Sequence, residues 1–202
     1  KSNPFLRVSN DTMYWYGYLF GDGHITSRKY SVGLTSIDLE HLQKYIKYIG
    51  ENLTIHKRKS SQCYDVLFGN VEAHKWLKDR GFSVNKSYEG KLHYLNSAVL
   101  RGLFDSDGSY SGNTSPYFLT NVPEVADQVN TYLNKVGIRS YKTKHSNDDT
   151  CINVRIPMAD FIKFYNFLYR KSTIDNRLDR KYNKMRLTFE KKCSKLGEFR
   201  ES

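Results

Sequence analysis

Apolar and polar positions along the chain trace one plan twice. In the first half, Asp11 stands where it can cap a helix running to about Phe20. Short alternating stretches at 24–28 and 30–35 predict strands. Residues 38–49 set Leu39, Leu42, Ile46 and Ile49 on one helical face, with Asp38 near the start and Gly50 beyond the end. Strands follow at 53–59 and 63–68 around Ser60-Ser61, then a helix at 70–80 that stops at Gly81. The second half predicts a helix at 97–106, strands at 109–112 and 117–120, and a helix at 123–135 with Pro123 in its first turn. Strands at 138–144 and 151–156 and a helix at 158–169 complete it. Each half reads αββαββα, an α+β class with antiparallel sheets. The predicted organisation is an N-terminal half at 1–85, a linker at 86–96 within the connecting stretch 82–96, and a C-terminal half at 97–202. The latter ends in a basic extension, helical over 172–195.

The repeat is visible in the residues themselves. Residues 15–23 read WYGYLFGDG and residues 100–108 read LRGLFDSDG. Asp22 and Asp107 are 85 positions apart, and the same offset carries Leu34-Thr35 onto Leu119-Thr120 without a gap. Gly17 and Gly21 are four apart and share a helix face; Gly102 and Ser106 occupy the matching places. Glycine inside a helix costs roughly 1 kcal/mol relative to alanine, so both halves accept that cost for close contact. The halves are expected to pack through these helices about a pseudo-twofold axis. Gly23 and Gly108 suit a left-handed helix end. Asp22 and Asp107 then lie side by side.

Two carboxylates at helix C-termini repel each other and the negative ends of the helix dipoles. A divalent cation relieves that conflict, and oxygen ligands suit magnesium. The expected metal set is Asp22 and Asp107, with the carbonyls of Gly21 and Ser106. Such a site stabilises charge on a phosphodiester and activates water for in-line attack. One Asp-Gly pair alone is an ordinary turn signal. Two copies in matched repeats on a basic chain are not. An EF-hand reading of Asp105-Ser106-Asp107-Gly108 fails, because Tyr110 stands where that loop needs glycine and Ser109 where it needs an acid or amide.

Composition narrows the partner. The chain has 202 residues, 39% hydrophobic, with Tyr 16 and Phe 11, enough for a real core. Only 4 Pro and 13 Gly argue against a fibrous or disordered chain. The formal net charge of +11 favours a polyanion, and nucleic acid above all. Cys63, Cys151 and Cys193 are odd in number and offer neither zinc spacing nor an evident disulfide. That fits a reducing, intracellular compartment: cytoplasm or nucleoid, or an organelle if a transit segment has been removed. No apolar run approaches the roughly 20 residues of a membrane span. No membrane partner is expected, and Lys1-Ser2-Asn3-Pro4 is not a signal peptide.

With both motifs in hand, the chain resembles the LAGLIDADG (dodecapeptide) homing endonucleases in their single-chain, two-motif form. LRGLFDSDG matches closely; WYGYLFGDG matches more loosely, with Phe20 at the first acidic position. The eighth-position acid is present twice, as Asp22 and Asp107. The resemblance covers about 11–185. It implies a DNA-binding saddle of antiparallel sheet, with the motif helices at the central interface. It also implies metal-dependent cleavage of both strands at a long site, with two or three Mg2+ ions shared between the acids. An intron- or intein-associated origin and action as a monomer go with it. It further implies polar residues at the ends of the second strands, here Ser36 and Asn121, and a basic residue after the last helix of each half. These are Lys86 in the first half and Lys181 in the second, with Arg180 as a rival.

Strand alternation selects the DNA-facing side chains. Ile25 points to the helices, leaving His24, Thr26 and Arg28 outward. Leu53 and Ile55 point inward, leaving Thr54, His56 and Arg58. Ile152, Val154 and Ile156 point inward, leaving Asn153 and Arg155. The offset adds Ser109, Ser111 and Asn113. These types read base edges, with arginine suited to guanine. Lys29, Lys57, Lys59, Lys142 and Lys144 are assigned to phosphates. The competing reading is an RNA maturase that assists splicing of its intron RNA, or a non-catalytic DNA-binding protein on the same fold. Retention of both acids favours the nuclease.

Overall fold

Among the described residues one seven-element plan occurs twice, followed by a last helix. The computed structural model describes residues 2–26, 29–59, 61–83, 90–112, 114–145 and 148–198. The first unit runs α1 (Asn10–Asp22), β1 (Gly23–Thr26), β2 (Ser31–Ser36), α2 (Leu39–Ile49), β3 (Ile55–Lys57), β4 (Tyr64–Gly69) and α3 (Val71–Lys78). The second runs α4 (Ser97–Asp107), β5 (Gly108–Ser109), β6 (Tyr117–Thr120), α5 (Pro123–Lys135), β7 (Tyr141–His145), β8 (Asp148–Arg155) and α6 (Phe161–Tyr169). A final helix, α7, spans Asp179–Glu198. Each unit holds one antiparallel four-stranded sheet, ordered β1-β2-β4-β3 and β5-β6-β8-β7.

One face of each sheet carries the core. Ile25, Val32, Leu34, Val66 and Phe68 in the first sheet, and Phe118, Val154 and Ile156 in the second, are buried against the helices. They join one continuous apolar cluster through the two motif helices. Burying a side chain of this size stabilises by roughly 1.5–3 kcal/mol, so alternation in the strands fixes which face meets the helices. In α2 the buried residues are His41, Leu42, Tyr45 and Ile49, while Leu39 is exposed. The face is turned from the expected one because rings of Tyr14, Trp15 and Tyr18 in α1 pack on His41 and Tyr45.

Both motif helices are capped by a side chain. Ser9, rather than Asp11, accepts from the Thr12 N–H; Asn96 accepts from the Val99 N–H. Asp11 instead accepts from the Asn176 amide at 2.5 Å. That bond belongs to a strap by which the end of the second unit crosses the first. Lys44 in α2 meets Asp179 at 2.6 Å, Lys47 meets Asp175 at 2.9 Å, and Arg180 meets Asp38 at 2.9 Å.

The gapless offset does not survive past the motif. Gly23 pairs with Leu34, but Gly108 pairs with Phe118. The second hairpin is one residue shorter, so Leu34 corresponds to Phe118 and not to Leu119. The counterpart of Ser36 is therefore Thr120. The hydroxyls of both accept the N–H two residues on, of Asp38 and Val122 respectively. The strand expected from 138 starts at Tyr141, because Ile138 closes the end of α5 through a hydrogen bond to Leu133 and is buried.

Candidate active site and nucleic-acid face

The small residues of the motif lie where the two helices touch. A methyl group built on Gly17 would overlap the Val99 carbonyl. One built on Gly102 would overlap the Tyr14 carbonyl and lie 2.6 Å from the Tyr18 nitrogen. One on Gly21 would lie 2.6 Å from Ser106 Cβ and 2.7 Å from Asp107 Oδ2. The backbones thus meet in a way that no side chain permits, and the Asp107 carboxylate rests against the other helix. Gly23 and Gly108 are not left-handed: their φ values are −84° and −83°, so each helix runs straight into extended backbone. Glycine is needed there for space, since a methyl on either would run into the carbonyl of Leu19 or Phe104.

At that end Asp22 and Asp107 are half-buried, and Lys181, in the first turn of α7, lies close enough to feel their charge. Its Nζ donates to the carbonyls of Phe104 at 2.8 Å, Ser106 at 3.2 Å and Gly108 at 2.6 Å. A cation there is favoured by the C-terminal end of the α4 dipole. Removal from water pulls the lysine down to about 8, opposed by the nearby charges of Asp105, Asp22 and Asp107. The geometry separates Lys181 from its rival: Arg180 is exposed and paired with Asp38. Of the expected metal set, the Ser106 carbonyl accepts from Lys181 and keeps a second lone pair. Lys86 and the first half's basic contribution lie outside the described residues.

Asn121 is exposed and lines a cavity of about 70 Å³ with Gly21, Asp107 and Thr120. Ser36 is not at that surface: it is buried, on the helix-facing side of β2, near Tyr18, and its hydroxyl accepts from the Asp38 N–H at 3.1 Å. A larger cleft of about 590 Å³ lies at the far end of α4, lined by Asn96, Lys163 and Arg170, and holds neither acid.

The sequence reading missed a charged pair inside the second motif. Asp105 is fully buried and accepts from the Tyr14 hydroxyl at 2.9 Å, the Tyr169 hydroxyl at 3.1 Å and the Leu178 N–H at 2.7 Å. Burial pushes its carboxyl up to about 6, against Lys181, the Leu178 and Tyr14 hydrogen bonds and Arg101. Arg101, one turn earlier, is also buried and donates to the carbonyls of Asn176 and Leu168 at 2.7 Å each and to Asn176 Oδ1 at 2.9 Å. The signal was present as opposite charges four apart in an otherwise apolar helix, since such residues are buried only with partners. In the first motif Phe20 takes the matching place and packs on Tyr16 and Phe82.

The outer face of the first sheet carries His24, Thr26, Thr35, His56 and Asp65. His56, Asp65 and Thr35 share one row, and the ring of His24 lies over Gly33, where a side chain would collide with it. Arg58 joins them from the end of the β3–β4 hairpin. Lys29 and Lys59 are exposed in turns, while Lys57 alternates to the opposite side from His56. In the second sheet Ser109, Tyr117, Leu119, Thr143 and Arg155 face outward, with Arg155 stacked over Tyr117 at 4.8 Å. Ser111 is exposed beyond β5. Asn153 is on this face but is 1% exposed, with its amide turned to the Lys144 carbonyl, so it offers no edge to a base. Lys142 and Lys144 alternate to the helix side of β7, where Lys142 pairs with Asp127 of α5. Arg28 and Asn113 lie outside the described residues.

The model of the LAGLIDADG-like domain family matches residues 95–168. No curated protein matches the sequence. Among solved structures the chain is similar to I-DmoI in complex with DNA and Mn, with a TM-score of 0.61 and 16% identity over 83% of this chain and 100% of that one. It is similar to I-DmoI in complex with DNA and Ca, at a TM-score of 0.59 and 17% identity over 88% of this chain and 95% of that one. It is also similar to full-length DUF199/WhiA from Thermatoga maritima, at a TM-score of 0.58 and 14% identity over 98% of this chain and 69% of that one. Residues 95–168 thus match the LAGLIDADG-like domain family, and the chain as a whole carries the LAGLIDADG fold.

Proposed function

We propose that the chain is a site-specific endonuclease that cuts both strands of a long DNA target, with divalent cations bound between its two halves. The observation that carries this is the close packing of α1 and α4, which brings Asp22 and Asp107 to one place beside Lys181. Two carboxylates placed together at the C-terminal ends of two helices meet the negative ends of both dipoles, an arrangement that a bound cation would offset. I-DmoI, which shares the fold, has been crystallised in complex with DNA and Mn or Ca.

The residues suit a cation of the magnesium type. Among the described residues no group of three or more His, Cys, Asp or Glu forms a closed cage. Magnesium does not require one, because it keeps several waters and takes one or two carboxylates plus substrate phosphates. Asp22, Asp107 and the carbonyls of Gly21 and Ser106 would hold it, and when bound it would offset charge on the scissile phosphates and lower the pKa of water.

The protein's own part is positional and electrostatic. Outer-face side chains of the two sheets fix the duplex along the motif-helix ends. Lys29 and Lys59 suit phosphate contacts, and His24, Thr26, His56, Arg58, Ser109 and Arg155 suit base edges. Lys181, held by three carbonyls, places positive charge where the phosphate gains negative charge in the transition state. Because one chain supplies both acids, a monomer completes the site.

The test is to incubate the full chain with a randomised duplex library and magnesium, and to sequence the cut ends. Recovery of one long consensus, cut on both strands, supports the reading. Selective binding without cutting in magnesium or manganese would replace it with a DNA-binding role.

A further inference from the structure

Asp65 has no evident reason to be where it is. It sits on the outer face of a basic chain, on the side proposed to meet phosphates, where its charge opposes binding. Its ion pair is part-exposed, and such pairs contribute little to folding. Its geometry, in contrast, is closed. Arg58 Nε donates to Asp65 Oδ2 at 2.5 Å, Arg58 Nη2 donates to Thr35 Oγ1 at 3.1 Å, and the Thr35 hydroxyl donates to Asp65 Oδ1 at 2.6 Å. The hairpin carrying Arg58 is itself tied, since the Arg58 N–H donates to the Cys63 carbonyl at 2.9 Å.

We infer that Asp65 and Thr35 are specificity-determining positioning residues, which aim Arg58 at a single guanine of the target. This deepens the DNA-binding reading and rests on it. The clamp uses the side edge of the guanidinium, Nε and Nη2. The end edge keeps one hydrogen on Nη1 and Nη2 each with no acceptor among the described residues, and the Arg58 side chain is 48% exposed. Two parallel donors on a fixed plane match the N7 and O6 acceptors that guanine shows in the major groove. Each carboxylate oxygen of Asp65 already accepts one hydrogen bond, and the Asp65 side chain is 23% exposed against 48% for Arg58, so the arginine is the better placed of the two to meet a base. A flexible arginine would serve phosphate as well as guanine; a clamped one is preorganised for one planar partner.

Among the described residues the second half shows no such device. Leu119 pairs with Asn153 as Thr35 pairs with Asp65, and Asn153 is buried. The outward arginine there, Arg155, is held by the Thr143 hydroxyl at 3.3 Å and the Tyr117 ring. Among the described residues, the carboxylate clamp therefore belongs to the half-site under the first sheet.

The experiment is duplex selection from a randomised library, by binding in calcium and by cutting in magnesium. It uses wild type, Arg58→Ala, Asp65→Ala and Thr35→Ala, with Lys59→Ala as a phosphate control and thermal melting to confirm folding. Arg58→Ala should erase preference at one guanine position, by roughly ten- to hundredfold, and leave the others. Asp65→Ala and Thr35→Ala should weaken that same preference, with Asp65→Ala keeping or raising affinity for unrelated duplexes. Lys59→Ala should weaken all duplexes evenly. An unchanged selection pattern in Arg58→Ala, loss of a cytosine preference in Asp65→Ala, or an even loss of affinity in Asp65→Ala would each overturn the inference and leave the nuclease reading intact. Failure of wild type to select any duplex would overturn both.

Discussion

Tyr14 of the first motif helix donates its hydroxyl hydrogen to Asp105 of the second, at 2.9 Å, inside the interface that holds the two halves together. The same hydroxyl lies 3.0 Å from His41 Nε2, so the bond joins α2, α1 and α4 in one chain of contacts. With the tyrosine proton given to Asp105, His41 is the donor in the second contact. Tyr14→Phe removes a partner from each neighbour and leaves the His41 donor buried without an acceptor. Leaving a buried polar group unsatisfied costs about 1–3 kcal/mol. A fall of that size in urea-unfolding stability is expected, with DNA selectivity unchanged.

Helix contact at Gly17 and Gly102 tolerates no side chain. Gly17→Val or Gly102→Val must move one helix away from the other, because the obstructing atoms are backbone. Overpacking of this kind typically costs 1–3 kcal/mol. Cleavage should fall much further than stability, since the acids separate even where the halves stay folded. Parallel measurement of Tm and cleavage rate checks this; equal, small losses in both would argue against a shared site.

His41 sets a pH signature. Burial first, and then the charge of Lys44, pulls its imidazole from 6.5 down to about 3. The unfolded chain takes up this proton near 6.5 and the folded chain only near 3, so stability is lost as pH falls through that window. The slope from one such group approaches 1.4 kcal/mol per pH unit. Asp65, Asp160 and Asp179, held low by their partners, also lose stability in acid, and they are common to both proteins in a comparison. His41→Gln keeps a donor for Tyr14 and should show a shallower loss between pH 6 and 4 in chemical unfolding. Parallel curves for the two proteins would show that His41 does not titrate this way.

Lys181 is expected to matter for cleavage and not for binding. Lys181→Met keeps the length of the side chain and removes its charge. Loss of one preorganised electrostatic contact typically lowers turnover on the order of 10²–10³-fold. Single-turnover cleavage on a selected duplex, with dissociation constants measured alongside in calcium, separates the two effects. A large loss of affinity at unchanged cleavage rate would move Lys181 to the DNA-holding set.

Much of the fold was legible because it rests on local patterns. The αββαββα plan follows from alternation in strands such as 31–36 and from helical spacing in 123–135, and the tight helix contact follows from Gly17, Gly21 and Gly102. What was not legible depends on partners distant in sequence. The facing of α2 is set by Tyr14, Trp15 and Tyr18, which claim His41 and Tyr45 in place of Leu39. The offset of 85 positions holds within the motifs and fails one hairpin later. A turn can lose a residue without disturbing either sheet, and the failure moved the match of Ser36 from Asn121 to Thr120. Lys142 looked like a phosphate contact because a lysine in an irregular edge strand gives no facing signal; its partner Asp127 lies on a helix. Asp105 and Arg101 were passed over because their charges are satisfied by Tyr169, Leu178 and Asn176, which no local pattern connects to the motif.

The central claim is that Asp22 and Asp107 form one composite catalytic site. The most direct measurement is plasmid cleavage in magnesium by Asp22→Asn, Asp107→Asn and the double variant, on a duplex selected by wild type, with binding followed in calcium. Each single variant should lose double-strand cleavage by at least about 10²-fold while the duplex is still bound, and the double variant should be no worse than additive effects allow. Wild-type double-strand cutting by either single variant would contradict it.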